Sequence, residues 1–237
     1  DRKDPRTGKP YSDQMARLGL AEGGVAEAVE KVKENLRKMF TQKQKLWEGD
    51  HGDTPMLSPD EREVDLPEEE KTYDIAYGHK IKKEEMEAGL IHGIPFINKD
   101  TGEYIPLTEE QKTIIQQNDI KENVQVARNA GWDNKLKERG LTWETLEEPV
   151  QLVLEDLAYN VGGTEAGKQW NKIFDDIQNN NVQGIVGNLR RTEAGVNTEA
   201  MDNRAAKAAY NAGLINNLQE AINYGLPLAT STEIPST

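Results

Sequence analysis

The sequence predicts an α+β fold, mostly helical, with a small β element segregated from the helices. Two observations predict it. Apolar residues recur at helical spacing along most of the chain, and the few strand signals sit together near its middle. A third observation bounds the class: the 237 residues contain no cysteine and carry a formal net charge of −13.

The elements follow in order. Asp1 to Tyr11 is polar, carries Pro5, Gly8 and Pro10, and reads as a linker. Val25, Val29, Val32, Leu36 and Met39 step by four, three, four and three, the pattern of one helix face running toward Trp47. Its near-3.5 repeat suits packing on its own core or on a neighbouring helix. Ser58 to Asp74 holds eight acids, expected to form a solvated acidic loop. Thr72 to Tyr77 is a short β-type run. Phe96-Ile97 and Tyr104-Ile105 flank Asn98-Lys99-Asp100-Thr101-Gly102, which reads as a hairpin turn.

Beyond the β segment, Thr108-Glu109-Glu110-Gln111 is a capping box opening a helix to about Arg128. Leu146, Val150, Val153, Leu154, Leu157 and Val161 stripe another helix, with Pro149 in its first turn and Gly162-Gly163 after it. Further stripes are Trp170, Ile173, Phe174, Ile177; then Val182, Ile185, Val186, Leu189; then Leu214, Leu218, Ala221, Ile222. Leu226 to Thr237 reads as a C-terminal tail or linker. With linker-like ends and no initial Met, the sequence reads as a piece of something longer or a processed product.

Composition excludes several functions. Lacking cysteine, the chain has no disulfide framework, Cys-zinc site or thiol nucleophile. With 29 Lys+Arg against 42 Asp+Glu it offers no basic face for nucleic acid. No apolar run approaches the ~20 residues of a membrane span. The histidines show no ligand spacing along the chain, and the acidic stretch lacks a calcium-loop pattern, so neither metal nor cofactor is expected.

Four features carry chemistry: Tyr73-Asp74-Ile75-Ala76-Tyr77-Gly78-His79; Leu107-Thr108 opening a helix through Gln117-Asn118-Asp119; Tyr159-Asn160-Val161-Gly162; and Asp202-Asn203-Arg204. In that order they resemble the phage-type lysozymes, the muramidases of the T-even phage lysozyme family. The resemblance covers about Ser12 to Leu214. It implies a lysozyme-like fold over residues 12–225, with a β-hairpin lobe, a helical lobe and an insertion over about 25–70. It also implies peptidoglycan cleavage.

The family's general acid is a Glu at the end of the first helix, usually followed by Gly. Met15 to Gly24 resembles that ending and makes Glu22 the preferred acid. Counting back roughly 20 residues from His79 reaches Pro59 instead, beside Asp60 and the alternative, Glu61. The family's strand Thr is matched by Asp74, with Thr72 two residues earlier on the same face. The resemblance thus implies Glu22, Asp74 and Thr72 as catalytic residues, with Tyr77 and Asn160 contacting the glycan. Asn160 reads equally well as a helix cap, His79 as structural, and Arg204 as closing the helical lobe.

The expected partner is the peptidoglycan glycan strand, with other virion proteins as further partners. Cell walls are anionic, and an acidic chain does not seek them by diffusion. The chain is therefore expected to act at the host cell wall or periplasm as part of a phage virion or ejected protein. The alternative is a silent structural domain of the particle, on the grounds that Asp74 stands where the family has Thr. A lytic transglycosylase on a related fold is a third reading.

Overall fold

The computed structural model describes residues 22–58, 71–189 and 198–225. It is mostly helical with a small antiparallel sheet, as the patterning predicts. No helix among the described residues is long and apolar enough to cross a membrane. The chain divides into two compact units, 1–41 and 42–237.

Helix α1 spans Glu22–Glu48. Of its apolar stripe, Val29, Val32 and Met39 are exposed and Leu36 is half-buried. Its last turn, within the second unit, buries Gln44. Gly49 stops the helix with φ at 78°, a conformation costly for any residue with a Cβ.

The sheet order is β1 (Met56–Leu57), β2 (Tyr73–Ile75), β3 (His79–Lys80), antiparallel throughout. Asp74 on the central strand faces Met56 on one side and Lys80 on the other. Residues 42–58, expected inside an insertion, belong to this unit and supply β1. After the short helix α2 (Lys83–Ala88), β4 (Leu90–Ile91) and β5 (Ile94–Pro95) form a hairpin that the sequence patterning does not announce. Its two-residue turn is His92-Gly93, both at positive φ, the geometry of a type I′ turn. The expected hairpin at Asn98 to Gly102 is reduced to one bridge, Ile97 to Tyr104. Ile75, Ile91, Phe96 and Ile115 are fully buried beneath these strands.

Helix α3 (Glu109–Ala127) starts at the predicted capping box: Thr108 Oγ1 accepts from Gln111 N, and Gln111 Oε1 accepts from Thr108 N. A π turn (Arg128–Trp132) and α4 (Asp133–Glu138) follow. Trp132 is fully buried, stacked on Trp143 at 5.9 Å, with its Nε1 donating to the Ala166 carbonyl. Helix α5 (Glu148–Val161) is the buried helix expected from Leu146 to Val161, with Pro149 in its first turn. The short α6 (Gly163–Lys168) lies so close to α3 that a Cβ on Gly167 would sit 2.6 Å from the Ala127 carbonyl oxygen. Helices α7 (Asn171–Gln178), α8 (Val182–Asn188), α9 (Thr198–Asn211) and α10 (Leu218–Asn223) complete the lobe. Arg204 is well inside α9 rather than at its start.

Candidate functional site

The end of α1 is spliced to the end of β2. His51 N donates to the Ala76 carbonyl at 2.8 Å, and Ala76 N donates back to the Gly52 carbonyl at 3.0 Å. Asp50 Oδ1 accepts from Gly52 N, tightening the intervening turn. These bonds hold the helix terminus beside the Tyr77-Gly78-His79 turn. Glu48, the last helical residue, therefore reaches a cleft of about 490 Å³. Gly78, His79, Asp119, Tyr159 and Asn160 line the same cleft, and Lys80 and Lys82 also border it.

Glu48 is held from behind. Arg204 on α9 donates to both of its carboxylate oxygens, one contact measuring 3.0 Å from Nη1 to Oε2 and the other pairing Nη2 with Oε1. Arg204 Nη2 also lies 3.6 Å from Oδ1 of Asp156, a fully buried carboxylate on α5. Gln44 Nε2 donates to that same Asp156 oxygen at 3.1 Å. Burial lowers the Arg204 pKa to about 10, because the charged guanidinium is poorly solvated here. Two carboxyl groups thus share one guanidinium.

Tyr159 anchors α5 to the β lobe. Its hydroxyl donates to the Tyr77 carbonyl at 2.7 Å. Its pKa is raised by burial first, and then by the negative charges of Asp119, Asp156 and Asp74. Asn160 lines the cleft while its Nδ2 donates to the Asp156 carbonyl at 2.6 Å. Asn160 lies inside α5, and the residue in the cap position is Gly162.

Glu22 is the first described residue of α1, and its side chain falls outside the described residues, as does all of Glu61. Asp74, Thr72 and Tyr77 are described and do not line the cleft. Asp74 is buried in the central strand and is not among the described residues that line the cleft. Its Oδ2 accepts from Ser58 Oγ at 2.9 Å and lies 3.6 Å from His51 Nδ1. Its Oδ1 is buried with no hydrogen-bond partner among the described residues. Thr72 immediately precedes β2, and its carbonyl accepts from Ser58 N. Tyr77 turns away from the cleft lining: its hydroxyl donates to Glu109 Oε2 at 2.6 Å, and Lys45 and Lys112 lie over its ring. Burial and the Glu109 carboxylate push the Tyr77 pKa up to about 12.

Two groups are not among the sequence-predicted residues. Glu48-Gly49 matches the Glu-Gly helix ending that the family resemblance calls for. The sequence carries a signal for it, because the α1 periodicity runs on to Trp47 and glycine follows Glu48 directly. The other group is His79, His92 and Asp119, which no chain spacing reveals. Asp119 Oδ1 lies 2.9 Å from His79 Nδ1 and 2.7 Å from His92 Nε2. Burial alone would lower the His79 pKa, but Asp119, and after it Glu85, outweigh burial and raise it. A scan of family models and searches of curated proteins and of solved structures find no match to this chain.

Proposed function

We propose that this domain is a muramidase, cleaving the glycan strand of peptidoglycan, with Glu48 rather than Glu22 as the general acid. One observation carries the reading. A Glu-Gly helix ending delivers its carboxyl to a cleft beside the Tyr-Gly-His turn, backed by a buried Arg shared with a second carboxyl group. In the proposed step the Glu48 carboxyl gives its proton to the glycosidic oxygen as the C1–O bond breaks. Glu48, now ionised, takes a proton from the incoming water, which restores the acid and leaves a reducing sugar end. Lys80 and Lys82 at the cleft border offer cationic contacts to an anionic wall polymer. In keeping with the acidic chain, the domain is delivered to the wall as part of a phage virion or ejected protein.

Asp74 favours a second reading, a catalytically silent lysozyme-like domain. A carboxylate buried in the sheet and tied to Ser58 is poorly placed to activate water. A turbidity assay on purified cell walls separates the two. Clearing by the wild type is expected to fall at least ~100-fold in Glu48→Gln, the scale of general acid catalysis, and to persist in Glu22→Gln and Asp74→Asn. Equal clearing by Glu48→Gln removes Glu48 from the mechanism, and no clearing by the wild type supports the silent domain. An anhydro sugar end among the products, in place of a reducing end, identifies a lytic transglycosylase.

A further inference from the structure

We infer that His79, His92 and Asp119 form a binding site for a divalent transition-metal ion of the zinc class. The three donors come from three elements: β3, the turn between β4 and β5, and α3. His79 Nδ1, His92 Nε2 and an Asp119 oxygen all lie within 4.8 Å of one another. Two imidazole nitrogens and a carboxylate oxygen are a zinc ligand set that leaves a coordination position open.

The surroundings distinguish this cluster from a simple hydrogen-bonded trio. Each imidazole has a further carboxylate on its remote nitrogen. Glu85 Oε2 lies 3.0 Å from His79 Nε2, and Glu122 Oε1 lies 3.4 Å from His92 Nδ1. Metal-bound histidines are held in this way, the remote N–H facing a carboxylate that fixes the ring and raises its basicity. The two rings meet edge to face with centroids 5.7 Å apart, so both present a nitrogen to the same Asp119 carboxylate.

Tetrahedral donors about 2.1 Å from zinc stand roughly 3.4 Å apart, so the two Asp119–imidazole pairs, at 2.9 and 2.7 Å here, would open by about half an ångström on binding. His79 and Asp119 line the cleft, so the ion would border it and tie the β4–β5 hairpin to α3. This inference does not depend on the muramidase reading, because its readouts are binding and spectroscopy.

The test uses Co²⁺ as a spectroscopic probe on the metal-stripped chain, followed by competition with Zn²⁺. The expected result is one equivalent of Co²⁺ with visible absorption bands of low-coordinate geometry, displaced by Zn²⁺. His92→Asn keeps a residue that tolerates positive φ and is expected to abolish those bands. Glu122→Gln, at an exposed position that leaves the fold intact, is expected to weaken binding about 10- to 100-fold. Absence of the bands in the wild type overturns the site. Bands of equal strength in His92→Asn or unchanged affinity in Glu122→Gln do so as well, by placing the ion elsewhere.

Discussion

Glu48 and Arg204, 156 positions apart in the chain, meet as a two-pronged ion pair at the cleft. The pair joins the last residue of one helix to the second turn of another, and Asp156 shares the same guanidinium from the helix between. A charged side chain buried to this degree holds the lobe together only while its partners remain.

Removing Arg204 should therefore be costly. Arg204→Met removes the buried guanidinium that Glu48 and Asp156 share, and the expected loss of stability is about 3–5 kcal/mol. Adding Asp156→Asn should recover part of that loss, because the buried charge that faced the guanidinium goes with it. Urea denaturation of the two single variants and the double variant measures the coupling. Strict additivity would mean that Arg204 and Asp156 do not interact energetically.

The approach of α6 to α3 allows no side chain at Gly167. A Cβ there would come 2.5 Å from Ala130 Cβ and 2.6 Å from the Ala127 carbonyl oxygen, and the latter is backbone that cannot rotate aside. Gly167→Ala should cost about 1–3 kcal/mol through overpacking. A thermal-melting midpoint equal to that of the wild type would show that the two helices separate freely.

Tyr77 links stability to alkaline pH. Its folded pKa of about 12 lies above the ordinary value of 10.0, so the native state holds a proton that the unfolded chain releases first. Its contribution is complete below pH 10.0 and is lost as pH rises through about 12. Tyrosinate absorbance should show one late-titrating group fewer in Tyr77→Phe, with Tyr159 remaining, and the alkaline fall in wild-type stability should become shallower in that variant. A Tyr77 that titrates with the exposed tyrosines would refute the linkage.

Local patterning decides much of this fold. The Thr108 capping box, Pro149 in the first turn of α5 and the stripes of α7 and α8 are set by neighbours in sequence, and each stands in the folded chain where the pattern puts it. The same holds for the strand at Tyr73–Ile75 and the mainly helical class with a segregated sheet. Helix α1 shows the limit: a period identifies a helix but not what its apolar face meets.

The site is legible in the sequence as residue types, not as an assembly. Glu-Gly pairs occur at both Glu22 and Glu48, and the sequence does not distinguish them; in the folded chain Glu48 is the last residue of α1 and lines the cleft. Asp74 stands where the family resemblance implies a catalytic residue, yet it is buried in the central strand. His79, His92 and Asp119 carry no signal along the chain, since a turn, a strand and a helix bring them together. Composition and periodicity determined the elements and the acidic, cysteine-free chemistry of this protein. Which carboxylates face water, which are buried and which share a cation was decided by tertiary packing, because burial and charge pairing depend on contacts between distant segments.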